Sequence, residues 1–181
     1  MLLTPPPLIL TLKLDQVSFD YLDRLRKQYF PPQRNFLKAH ITLFHALPGT
    51  EEASIRKTLQ EFCSSTPPLP FLFPRLRYLG KGVAVEVESP QLKQLRLRLA
   101  KTWDRWLSPQ DRQGYRPHVT IQNKVMPDEA RQLYDRLDSE WKPFNGYGEG
   151  LMLWHYQGGP WNLVSEYPFV PNSSEQIGLL N

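Results

Sequence analysis

The sequence predicts an α+β fold of two pseudo-symmetric lobes, each an antiparallel sheet with helices on its outside, facing each other across a central cleft. Three observations lead there. Segments with apolar residues at every second position alternate with segments of helical spacing, so strands and helices interleave. The later strand runs come in pairs joined by short glycine turns, which makes them hairpins. Finally, the chain repeats itself at a distance of 78 residues: His40-Ile41-Thr42-Leu43 returns as His118-Val119-Thr120-Ile121. The same offset lays Lys38 over Arg116, Glu51-Glu52 over Glu129-Ala130, and Tyr78-Leu79-Gly80 over Tyr156-Gln157-Gly158. This period is too long for a stacked solenoid and fits two related lobes.

The elements follow in order. Leu8, Leu10, Leu12 and Leu14 alternate as a strand. Phe19, Leu22, Leu25 and Tyr29 then take helical spacing until Pro31-Pro32 stops it. Leu37 to Phe44 reads as the first motif strand, and Thr50 as the cap of a helix that opens with Glu51 and Glu52. Phe71 to Leu79 and Val83 to Glu88 form a hairpin turning at Gly80-Lys81-Gly82.

The second copy repeats this order. Ser89 caps a helix with Pro90 at its first position. Its apolar stripe is Leu92, Leu95, Leu99, Trp103 and Trp106, with Lys93, Arg96 and Lys101 off it. Arg116 to Asn123 is the second motif strand, and Ala130, Leu133, Tyr134, Leu137 and Trp141 mark the next helix. A last hairpin joins Leu151–Tyr156 to Trp161–Phe169 through Gln157-Gly158-Gly159-Pro160. The expected organisation is one bilobal domain over residues 1–170 and a loose polar tail from 171 to 181.

Composition narrows the function. Twenty-two Lys and Arg against 18 Asp and Glu give a net charge of +4, a mild bias toward anionic ligands and too little for a protein that coats DNA. No Lys or Arg occurs from Leu151 onward, so the positive charge sits in the first 150 residues. The single Cys63 excludes an intramolecular disulfide, and its helical neighbours Ile55, Leu59 and Phe62 make it buried filler rather than a nucleophile. Pro5-Pro6-Pro7 interrupts any apolar leader and no run is long enough to span a membrane, so a cytoplasmic location is expected.

The repeated motif carries the chemistry. On a strand, each His and the Thr two residues later share one face, and the aliphatics share the other. Two imidazoles with ordinary pKa near 6.5 can divide the work of phosphodiester cleavage, one taking a proton from the nucleophile and one giving a proton to the leaving oxygen. A stiff Thr beside each ring can donate to the nonbridging oxygens. Such a scheme calls for no metal and no cofactor. There is no His-Glu-x-x-His pattern or cysteine cluster, and Gly80-Lys81-Gly82 and Gly158-Gly159 lack the Lys-Ser/Thr signature of a phosphate loop.

These residues, with Pro117 directly before the second motif, resemble the two-histidine phosphoesterase superfamily, often called 2'-5' RNA ligase-like. The resemblance covers roughly Leu8 to Phe169. It implies a shared cleft, a catalytic set of His40, Thr42, His118 and Thr120, and hydrolysis of 2',3'-cyclic phosphate ends of RNA or small nucleotides; a monomer is expected. Several such relatives carry an Arg shortly after the second motif; here Gln122-Asn123-Lys124 stands in that stretch, leaving Lys124 as its cation.

Other readings stay open. The same site could cleave or seal 2'-5' linkages, or open a cyclic phosphate on an ADP-ribose-type nucleotide. A non-catalytic module that holds RNA ends is the alternative from another class. Lys38 and Arg116, each two residues before a motif His, are candidate contacts to a flanking phosphate, or simply strand-end charges. Phe44, Tyr115, Tyr156 and Trp161 are candidates to stack on a nucleobase, although packing is the ordinary role of such rings. His45, an odd number of residues from His40, is expected on the opposite strand face, and His155 is expected to be structural or to touch substrate at the rim.

Overall fold

The structure is a computed structural model and describes residues 4–171. Its elements are β1 (Leu8–Leu14), α1 (Gln16–Tyr29), β2 (Ile41–Leu47), α2 (Glu52–Cys63), β3 (Leu69–Phe73), β4 (Leu76–Tyr78), β5 (Val83–Glu86), α3 (Pro90–Thr102), β6 (His118–Gln122), α4 (Pro127–Glu140), β7 (Phe144–Tyr156) and β8 (Trp161–Pro168). The α+β class with two antiparallel sheets agrees with the sequence reading. All but one residue of the expected tail lies outside the described residues.

Local chemistry sets most boundaries. The Asp15 carboxylate accepts from the Ser18 amide at 2.9 Å to cap α1, and the helix ends just before Pro31. Ser89 caps α3 through the Leu92 amide at 3.2 Å, with Pro90 in the first turn where its missing N–H costs nothing. Thr50 does not cap α2. It lies inside a 3-10 turn, Gly49–Glu51, whose Glu51 amide bonds the Pro48 carbonyl, so α2 begins one residue later without a side-chain cap.

Two strands depart from expectation for reasons of backbone chemistry. The run from Phe71 to Leu79 breaks at Pro74-Arg75 into β3 and β4, which belong to different sheets; proline has no N–H to continue the ladder. The last long strand begins at Phe144 rather than Leu151. Its first half carries Gly146, Gly148 and Gly150, which hide the apolar alternation. Gly148 is needed because a Cβ there would lie 2.5 Å from the Phe71 ring and 2.9 Å from Leu12.

The first sheet runs β2-β1-β7, and the far edge of β7 is shared: β3 pairs with Phe144–Gly148 and β8 with Gly150–Tyr156. The second sheet is β4-β5-β6. The lobes are therefore not the two halves of the sequence. Strands β7 and β8 complete the sheet begun by β1 and β2, while β4 and β5 are given to the second. Helices cross over as well, for α1 lies on β6 and α3 on β3. The exchange yields one continuous core, in which Leu10, Ile41, Leu43, Val85, Val119 and Leu151 are all buried.

The repeat remains visible in the backbone. Gly80 and Gly158, 78 positions apart, both have positive φ, at 84° and 80°. Both motif strands also bulge directly after their Thr. Between Thr42 and Phe44 the partner β1 advances one residue, from Thr11 to Leu10; between Thr120 and Gln122 the partner β5 advances one, from Ala84 to Val83. A bulge resets which face the following residues occupy. Among the described residues no helix is long and apolar enough to cross a membrane.

Candidate active site

The bulged strands bring the two motifs to one cavity of about 450 Å³. His40, Thr42, His118 and Thr120 all line it, together with His45, Arg77, Arg116 and Trp161. Neither histidine lies deep in its strand. β2 begins at Ile41 and β6 at His118, so the residues from Leu37 to His40 and from Arg116 to Pro117 are not strand, contrary to expectation.

Each ring is held by a backbone carbonyl from the residue two places before it. His40 Nδ1 lies 2.7 Å from the Lys38 carbonyl, and His118 Nδ1 lies 2.8 Å from the Arg116 carbonyl. A carbonyl can only accept, so in both rings Nδ1 carries the proton and Nε2 is left to exchange one with whatever occupies the cavity. Both carbonyls belong to residues just outside the motif strands.

Burial lowers the pKa of His40 from its ordinary value to about 4, helped by the charges of Arg26, His118 and His45 and opposed by the Lys38 carbonyl. The half-buried Trp161 ring packs edge-on against His40, at 4.9 Å and 60°. His118 is lowered also, again chiefly by burial, with Arg77 and His45 adding and the Arg116 carbonyl and Glu86 opposing. Both rings are thus biased toward neutrality in the free protein. The folded chain resists protons that the unfolded chain accepts below about pH 6.5. The stabilisation is complete above that pH and is lost as pH falls from there toward 4. Chemical denaturation at pH 7.0 and 5.0 is expected to show lower stability at 5.0, and a His40→Asn variant is expected to lose less across that interval. Equal losses in the two proteins would contradict the assigned shift.

His45 is placed differently from expectation. The bulge after Thr42 lets both Leu43 and Phe44 turn into the core, so His45 emerges at the cavity instead of the opposite face. Its Nδ1 lies 3.0 Å from Asp111, whose carboxylate also accepts from the His45 and Ala46 amides and the Ser108 hydroxyl. Burial alone would raise the Asp111 carboxyl, but these bonds outweigh it and hold it below the ordinary value.

The remaining candidates scatter. The exposed Arg116 side chain lines the cavity, and Lys38 lies on the other side of His40. Phe44 is wholly buried against Trp103 and beneath the Arg96 guanidinium, so it has no face to offer a ligand. Lys124 lies with Lys81 and Tyr29 in another surface depression, because the left-handed turn at its own φ of 63° leads the chain away from β6. Tyr156 is exposed at the end of β7 and does not line the cavity. His155 bonds Glu52 at 2.8 Å and ties β7 to α2, a structural role. Cys63 is buried, which pushes its thiol up to about 12.

Two residues that hold the site together escape a reading by residue type. Arg26 and Arg96 are both buried. Arg26 donates from Nε to the Leu37 carbonyl and from Nη1 to the Thr120 carbonyl, each at 2.8 Å. Arg96 donates from Nε to the Leu43 carbonyl at 2.7 Å and from Nη2 to the Asp111 carbonyl at 2.6 Å. Each arginine therefore ties the loop before its own motif to the motif strand of the other half. The signal was present: Leu22-x-x-Leu25-Arg26 and Leu92-x-x-Leu95-Arg96 put a cation on the apolar stripe itself, four residues after its first leucine. Arg96 is not off the stripe but within it.

A two-lobed α+β protein that closes paired His-x-Thr strands around one cavity defines a class, and sequence comparison gives that class a name. The profile of the 2'-5' RNA ligase superfamily matches residues 14–160, and the chain belongs to that family. Solved structures of low sequence identity share its fold. TT0787 of Thermus thermophilus superimposes with a TM-score of 0.63 at 14% identity, over 92% of this chain and 99% of that one. LigT of E. coli crystallised with phosphate gives 0.59 at 14% identity, and LigT with 3'-AMP gives 0.59 at 13%, with the same coverage of 92% and 99%. No curated protein sequence matches.

Proposed function

We propose that this chain is a metal-independent phosphoesterase that hydrolyses 2',3'-cyclic phosphate ends of RNA or small nucleotides. The observation that carries the reading is the twin arrangement of His40 and His118, each with Nδ1 held by the carbonyl two residues before it and both lining one cavity beside a threonine. The cavity's cationic lining from Arg77 and Arg116 favours a phosphate. LigT, which shares the fold, was crystallised with phosphate and with 3'-AMP, which supports a nucleotide phosphate as the occupant.

In the proposed reaction a water oxygen attacks phosphorus and its proton passes to Nε2 of one imidazole. The bond from phosphorus to one ribose oxygen breaks, and that oxygen takes a proton from Nε2 of the other imidazole. One ring must therefore be charged when the substrate is bound. The anion itself supplies this, because a negative phosphate beside a neutral ring raises the ring's pKa. The Thr42 and Thr120 hydroxyls donate to the nonbridging oxygens.

The test offers 2',3'-cyclic nucleotides, 2'-5' linked dinucleotides and an ADP-ribose cyclic phosphate to the protein in excess chelator. Conversion of the first to a phosphomonoester, with the rate unchanged by chelation, is the expected result. Binding without product, insensitive to pH between 5 and 8, would replace the enzyme with an RNA-end-binding module.

A further inference from the structure

A second cavity, of about 460 Å³, adjoins the first and shares His40 and Trp161 with it as a common wall. The acid and base steps make no use of it. Aromatic rings line its mouth: Trp161, Trp154 at 6.1 Å from Trp161, and Phe36, which is 66% exposed. Trp154 is fixed in place, because its Nε1 donates to the Thr11 hydroxyl at 2.8 Å. Rings that served only the core would be covered. Lys38 is exposed at the same rim and, among the described residues, has no ion-pair partner, whereas nearby Lys13 is held by Glu166 at 2.8 Å.

We propose that this cavity is a nucleobase subsite that takes the base of the nucleotide preceding the one held between the histidines, so that the preferred substrate is an oligonucleotide end rather than a cyclic mononucleotide. The inference rests on the phosphoesterase reading and narrows its substrate class. Its ground is volume and continuity. The first cavity alone falls within the range that holds a small ligand. A second of nearly equal size, reached past the shared Trp161 wall, matches a second nucleotide. Flat aromatic walls accept any base, since every base presents a π face, and the unpaired Lys38 ammonium is placed to meet the phosphodiester that links the two nucleotides. Recognition at this subsite is therefore tolerant of sequence but demands a second base.

The experiment compares kcat/KM for a nucleoside 2',3'-cyclic phosphate with that for a dinucleotide ending in the same group, in the wild type and in the Phe36→Ala and Trp154→Ala variants. The wild type is expected to favour the dinucleotide by about ten-fold or more, the weight of one stacked base, and each variant to bring the ratio toward one. Lys38→Ala is expected to flatten the salt dependence of dinucleotide binding by the contribution of about one phosphate contact. A wild-type ratio near one, or a ratio that survives both aromatic substitutions, overturns the subsite. Calorimetric binding of a nucleoside 3'-phosphate and a dinucleotide 3'-phosphate measures the same preference without turnover. A protein that turns over neither substrate yet binds the dinucleotide more tightly through Phe36 and Trp154 keeps the subsite and loses only the hydrolytic reading.

Discussion

Replacing either His40 or His118 by Asn is expected to lower kcat for cyclic phosphate hydrolysis by about a hundred- to ten-thousand-fold, the range for removal of a positioned acid or base. Substrate affinity is expected to change little, because the threonines and the cationic lining remain. The structure gives the reason both should matter: each ring has the same Nδ1 anchor, to Lys38 or Arg116, so each is oriented to exchange a proton only at Nε2. The double variant is expected to be scarcely slower than either single one, since an acid without its base has nothing to assist. Stopped turnover with retained binding, measured by product formation and by calorimetry, is the signature. If one single variant keeps wild-type turnover, the paired mechanism is wrong. Proton uptake upon phosphate binding near pH 6.5, read from calorimetry in buffers of different ionisation enthalpy, is expected in the wild type and reduced in either variant.

The largest effect on stability is expected at the two buried arginines. Arg96→Met removes the donors to the Leu43 and Asp111 carbonyls, and Arg26→Met those to Leu37 and Thr120. Leaving the two buried acceptors of Arg96 unpaired costs about 3 kcal/mol or more, a large part of the ~5–15 kcal/mol that a domain has in total; the part-buried acceptors of Arg26 cost less. Arg26 is charged at neutral pH even though burial, opposed by Asp23, lowers its pKa to about 10. Lysine is not expected to rescue either position, because a single ammonium cannot reproduce the fork that reaches two carbonyls in different directions. Urea unfolding of the four variants measures this, and a loss below about 1 kcal/mol in Arg96→Met would remove the stapling role. Because the staples join the loop before one motif to the strand of the other, any variant that still folds is expected to lose activity as well.

Much of this architecture was legible in the chain. Ser89 and the prolines mark helix ends; the leucines of β1 alternate; and the offset between the two His-x-Thr motifs identified the residues that line one cavity. Less legible were features in which one local rule overrides another. Pro74 splits an apparent strand, the glycines of β7 erase its alternation, and a single extra residue after Thr42 turns Phe44 inward and His45 outward. Lys124 is carried away from the site by its own left-handed turn, and Tyr156, at the end of β7, does not line the cavity.

The sequence by itself determined the class, the repeat and the four motif residues, because these rest on periodicity and on spacings within a strand. Only the tertiary structure decided which strands share a sheet, that β7 and β8 close the lobe begun by β1, and that Asp111 reaches His45 from 66 residues away. The physical reason is that backbone and buried polar groups must find partners wherever the fold supplies them. An arginine on an apolar stripe announces that it needs acceptors, and only the packed chain reveals that one acceptor of each lies on the motif strand of the opposite half.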